Sequence, residues 1–206
     1  MGQIVMTAII TRYRENIDWV DSLPCGVQIY NKGLPDIKQK FTSVPNFGRD
    51  TGTVLHHIVN NYNSLDTQTV FLQADPFDHC WDVLDLIRKN PDPDQVVWLG
   101  SNWGPVTKDF TGGPGAGESL PMLEVCYKLF GNCGYNTTTQ FVFSAGSQYI
   151  VPRKFIVSKS LDWWIHAQTI FNQYTKIVDN RETLTACCVF ERLWPLVWNY
   201  STTDDL

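Results

Sequence analysis

Residues 69–79, Thr-Val-Phe-Leu-Gln-Ala-Asp-Pro-Phe-Asp-His, constrain this chain more than any other stretch. The apolar run Val70 to Leu72 has the character of a strand buried on both faces. It leads straight into Asp75, Asp78 and His79. Two carboxylates close together at the end of a buried strand are costly unless something neutralises them. Mg²⁺ and Mn²⁺ take carboxylate oxygen and keep coordination positions open for phosphate. In open α/β sheets the ligand crevice lies at the carboxyl ends of the strands. The stretch therefore predicts a metal–diphosphate site on Asp75 and Asp78, with His79 beside them. The same residues also suit a plain turn, in which Asp75-Pro76 starts the bend and Asp78 caps a helix beginning near Cys80.

A chain of 206 residues suits one domain, here 1–200, with 201–206 as a polar tail or the start of a linker to further domains. Its 43% hydrophobic and 18% charged residues fit a globular protein rather than a disordered one. A net charge of −5 argues against broad nucleic-acid binding, which needs a basic surface. No stretch has the length of a transmembrane segment. The apolar residues 4–10 lack a basic flank and a cleavage site, so they read as a strand rather than a signal peptide. Met6 stands where a myristoylation motif needs Ser or Thr. The six cysteines show neither C-x-x-C spacing nor a zinc pattern, so reduced thiols and a cytoplasmic location are expected. Without a secretory signal, the glycosylation sequons at Asn136 and Asn199 read as chance.

Along the chain, residues 3–10 predict the first buried strand. It runs into the polar loop Thr11-Arg12-Tyr13-Arg14, then a short helix near 16–20. A first strand feeding a polar, basic loop is where a doubly wound fold begins its nucleotide site. Arg12 and Arg14 are candidate phosphate or base contacts, although most arginines simply face solvent. A second strand is expected over 26–30, followed by a turn-rich loop containing Lys32. Pro45 to Thr53 then leads into a helix over 54–62. Its free N–H groups suit a diphosphate, Arg49 adds a bidentate donor, and Asp50 or Thr51 suits the cap. Helix 81–89 and strand 95–99 complete a strand–helix–strand unit, which implies a mostly parallel sheet. Residues 100–119 read as loop. Gly112 to Ser119 has P-loop spacing, but Glu118 stands where the phosphate-binding Lys belongs, so a flap over the cleft is the better reading. Helix 120–130, strand 139–144, helix 159–174 and helix 183–197 follow. Pro195 is expected to kink or end the last of these.

Pro45-Asn46-Phe47-Gly48-Arg49-Asp50, then Phe71-Leu72-Gln73-Ala74-Asp75-Pro76-Phe77-Asp78-His79, then Phe190-Glu191-Arg192-Leu193-Trp194-Pro195 resemble a GT-A-type glycosyltransferase family with chlorella-virus members. The resemblance covers nearly the whole chain. It implies an α/β, single-domain GT-A-like (nucleotide-diphospho-sugar transferase) fold with a central mixed, mostly parallel sheet flanked by helices. It puts Asp75 and Asp78 at the acidic motif that binds Mn²⁺ or Mg²⁺ with the donor diphosphate, although the usual Asp-x-Asp is here Asp-x-x-Asp. By the same resemblance Thr11, Arg12, Tyr13 and Arg14 match base and ribose contacts. Arg49 and Asp50 match the loop that reaches the donor, and Lys32 joins this cofactor-binding set. Asp75 serves both donor and metal, and His79 joins the metal group. An inverting transferase also needs a carboxylate base for the acceptor hydroxyl; the candidates are Glu191, Asp162 and Asp109. The implied reaction moves a hexose or 6-deoxyhexose from a UDP-sugar to a glycan acceptor, in host cytoplasm if the protein is viral. A non-catalytic glycan-binding module, a structural viral protein and a nucleotidyltransferase are the alternatives.

Overall fold

A computed structural model describes residues 5–102, 106–110, 120–132, 134–143, 145–175, 177–178, 181–182 and 185–198. The tail 201–206, Cys133 and the Gly112–Ser119 stretch lie outside the described residues. The protein is an α/β fold built on a six-stranded mixed, mostly parallel sheet with strand order β3-β2-β1-β4-β8-β5. These strands are β1 (Met6–Arg12), β2 (Gly26–Asn31), β3 (Phe41–Ser43), β4 (Gln68–Gln73), β5 (Val97–Trp98) and β8 (Tyr149–Pro152). The first four run parallel, with Ile9 opposite both Gln28 and Phe71. The last, β8, is antiparallel to its neighbours β4 and β5, so those two point the same way with β8 inserted between them.

Alternation along the central strands divides the interior in two. Ile9, Phe71, Tyr149 and Val151 face a large core completed by α1 (Arg49–Asn61), α3 (Met122–Phe130), α5 (Leu161–Tyr174) and α6 (Thr185–Val197). Ala8, Ile10, Ile29, Val70, Leu72 and Ile150 face a second core closed by a short 3-10 turn at Asp18–Ser22 and by α2 (Val83–Lys89). Strands covered on both faces must be apolar at nearly every position, which is why Val70 to Leu72 reads as an unbroken run. The large core is rich in aromatic rings. Trp198 stacks on Phe71 and on Trp194, with centroids 6.3 and 5.0 Å apart.

Several sequence expectations shift. The span 100–119 is not all loop, because β6 (Val106–Asp109) pairs antiparallel with β7 (Gln140–Phe143) in a separate ribbon. The 139–144 strand belongs to that ribbon and not to the main sheet. The first long helix begins at Arg49, five residues before its apolar pattern starts. A short α4 (Arg153–Val157) precedes α5. Neither Pro195 nor its missing N–H ends α6, which continues to Val197. The proline lies in the last turn and removes only the donor that would reach the Glu191 carbonyl. Among the described residues, no helix is long and apolar enough to cross a membrane.

Candidate functional site

The chain runs from β1 outward through β2 and β3, then returns to place β4 on the other side of β1. That reversal is the topological switch point, where open α/β sheets bind ligands at the carboxyl ends of their strands. The loops leaving β1 and β4 flank it. Between them lies an open cleft of about 460 Å³, lined by Glu15, Asn16, Asp18, Trp19, Asp75 and Phe77. The Trp19 and Phe77 rings meet edge to face at 5.5 Å, and Trp19 Nε1 donates to the Ala74 carbonyl at 2.9 Å. The aromatic wall is thus tied to the acidic loop.

That loop crosses the sheet edge from β4 toward the end of β5. Gln148, fully buried at the start of β8, donates to the carbonyls of Pro76 and Leu99 and accepts from the Gln73 N–H. His79 comes to rest against Gly146, where an added Cβ would lie 2.8 Å from His79 Cγ. The backbone at Gly146 has φ +97°, which glycine adopts without a steric penalty. The Gly146 carbonyl accepts from Gln73 Nε2 at 3.0 Å, and its N–H donates to Glu191 Oε1 at 2.7 Å. Gln73 Nε2 also reaches Asp50 Oδ2, at 3.5 Å. Asp50, Gln73, His79, Gly146 and Glu191 therefore share one corner of the edge, next to the switch point.

Glu191 is the perturbed acid of this corner. Burial pushes its carboxyl above the ordinary carboxylate value, and the charge of Asp50 adds to that. The Gly146 N–H, Arg192 and His79 pull the other way without cancelling it. A carboxyl group perturbed in this way, next to the switch point, is a candidate functional group.

Not every sequence candidate reaches the crevice. Arg12 is 3% exposed, and all three of its guanidinium nitrogens donate within the protein. They reach the Glu15 carbonyl, Asn31 Oδ1, the Leu34 carbonyl and Asp36 Oδ1 at 2.8–3.0 Å. Arg12 is a strut between two loops and not a donor contact. Lys32 is likewise buried, with Nζ donating to the carbonyls of Phe47 and Arg49. It fixes the turn into α1, where Gly48 and Arg49 both have positive φ. Thr11 is half-buried at the end of β1. Tyr13 and Arg14 are exposed, with the Arg14 guanidinium 4.8 Å from the Tyr13 ring centre. Their N–H groups both donate to Glu15 Oε2. Burial alone would raise the Glu15 carboxyl, but these donors and Arg12 hold it below its ordinary value. Arg49 is exposed and Asp50 half-buried in the first turn of α1. Asp162 is exposed in the first turn of α5, at the opposite edge of the sheet. There β8 ends beside Gln68, the first residue of β4, and Tyr62 Oη donates to the Lys159 carbonyl. Asp162 is therefore not brought together with Asp75 and Glu191. The Asp109 side chain lies outside the described residues.

Among the described residues, no three His, Cys, Asp or Glu side chains converge as a ready-made metal cage. Asp75 borders the crevice, whereas Asp78 faces His79, with Oδ2 3.7 Å from Nε2. The exposed oxygens of Asp75 and Asp78 still suit a hard cation that binds through one or two carboxylates, waters and substrate phosphate. The His79 Nδ1 atom is buried without a hydrogen-bond partner among the described residues.

Residues to which the sequence assigned no role complete the site. Gln73 stands inside the 71–79 motif without an assigned task, Gln148 and Asn102 lie outside every motif, and the roles of all three arise only when the loops converge. No protein-family model matches this chain, and no curated protein is detectably similar to it.

Proposed function

We propose that this chain is a metal-dependent glycosyltransferase on a GT-A-type fold, moving a hexose or 6-deoxyhexose from a UDP-sugar to a glycan acceptor. One observation carries the reading. The switch-point crevice has Asp75 on its rim, and the half-buried carboxyl of Glu191 lies one loop farther along the same edge. The cleft volume falls within the range of about 300–1,000 Å³ typical of small-molecule sites. Its aromatic walls suit a nucleobase, and Asn16 and Asp18 offer it polar partners. The N-terminus of α1, with Arg49 exposed beside it, supplies N–H groups and a cation for phosphate oxygens. Asp75 and Asp78 would hold Mn²⁺ or Mg²⁺ with the donor diphosphate. Such an ion supplies Lewis-acid stabilisation of the leaving UDP oxygen.

The chain's own groups then divide the work. Gln73 and the Gly146 loop fix the carboxylate of Glu191. In an inverting transfer, Glu191 would take the proton of the acceptor hydroxyl. A soluble donor and a cytoplasmic location belong to the same reading. Asp75→Ala tests it: transfer and metal-dependent UDP binding should disappear while the circular-dichroism spectrum stays that of the wild type. Full activity in that variant would sink the metal assignment.

A further inference from the structure

We propose that Trp81 is the stacking platform for a pyranose ring of the acceptor. Trp81 is 70% exposed, whereas Trp164, Trp194 and Trp198 are at most 1% exposed. Tryptophan is highly buried on average, so a ring left in solvent on an ordered turn stands out. The backbone beneath it is held on both sides. Its N–H donates to Asn102 Oδ1 at 3.2 Å, and Asn102 Nδ2 donates to the carbonyls of Phe77 and Asp78 at 3.0 and 2.7 Å. The Asn102 N–H donates in turn to the His79 carbonyl at 3.1 Å, and Cys80 is fully buried. Ser101 Oγ donates to Asp82 Oδ1 at 2.6 Å. The backbone that carries the indole is therefore held by the same contacts that shape the acidic turn.

Position supplies the second argument. The turn passes Asp75 at the β1–β4 crevice, then His79 over Gly146 at the start of β8, then Trp81 beside the loop that follows β5. Nucleotide cleft, Glu191 corner and exposed indole thus follow one another along a single sheet edge. That is the order in which donor, reacting hydroxyl and acceptor ring must lie. Size and surroundings supply the third. One indole offers roughly 150–250 Å², far below the about 800 Å² per partner of a stable protein interface. Asp78 and Asp82 on the same turn, with Ser101 bonded to Asp82, supply polar groups for sugar hydroxyls around an apolar C–H face.

The assignment of this sugar as acceptor rests on the transferase reading, but its binding does not. The test is saturation-transfer NMR with maltose, cellobiose and lactose on the wild type and on Trp81→Ala and Trp81→Tyr, without nucleotide. At least one disaccharide should show saturation of its ring C–H protons. The signal should fall roughly tenfold in Trp81→Ala and recover largely in Trp81→Tyr. UDP affinity, titrated separately, should stay within about twofold in both variants, since Trp81 does not line the nucleotide cleft. An undiminished signal in Trp81→Ala overturns the platform, and so does no signal from any of the three sugars on the wild type. Sugar binding that depends on Trp81 in a protein that ignores UDP would uphold the platform and defeat the transferase reading.

Discussion

Glu191 and Gly146 show how a single contact can set up a site. The Gly146 N–H gives Glu191 one strong donor, yet burial still keeps the carboxyl above its ordinary value. Glu191→Gln preserves the shape and removes the proposed base. It should leave UDP binding within about twofold and lower kcat by at least about a hundredfold, measured as UDP release with a working acceptor. Unchanged turnover would exclude Glu191 as the base. Gly146→Ala acts differently, because it places a methyl against the His79 ring in a conformation that favours glycine. It should destabilise the fold by about 1–3 kcal/mol in urea unfolding. Unaltered stability would show that the 145–148 loop is not locked against His79.

The elements meet at loops more tightly than their sequences announce. A Cβ on Gly33 would lie 1.6 Å from the Tyr13 carbonyl oxygen, so the loops after β1 and β2 are in backbone contact. Gly33→Ala should cost about 2–3 kcal/mol and loosen the cleft, read as a lower Tm together with weaker UDP binding. A neutral substitution would contradict that contact. Most of the main-sheet strands and the long helices were legible in the sequence because burial on two faces leaves near-continuous apolar runs and a helix leaves a stripe. The crevice was legible because Asp75 follows such a run directly. Other features were not. The strand β8 is a four-residue antiparallel insertion whose partner β4 lies 75 residues away, and no local pattern encodes that pairing. Asp162 sits in the first turn of a long helix, but only the sheet's direction reveals that the helix starts at the edge away from Glu191. Arg12 and Lys32 looked like ligand cations because burial and carbonyl partners are tertiary facts.

At the scale of the molecule, the large core holds a histidine that links stability to pH. Burial, assisted by the charge of His56, lowers the His57 pKa from 6.5 to about 4, despite the opposing pull of Asp66. Its Nδ1 lies 3.1 Å from the Tyr30 hydroxyl. The unfolded chain therefore binds a proton that the native protein refuses. This contribution is fully present above about pH 6.5 and is lost as pH falls toward about 4. The loss is on the order of 3 kcal/mol, measurable as denaturant midpoints across that range. His57→Gln should flatten the profile, and an unchanged slope would assign the pH dependence elsewhere. The central claim concerns the crevice, and calorimetric titration of UDP in the presence of Mn²⁺ and then of EDTA tests it most directly. Tight binding that requires the metal and vanishes in Asp75→Ala is the expected result. No UDP binding in either condition, or binding indifferent to EDTA, would contradict a metal-assisted nucleotide-sugar site at Asp75.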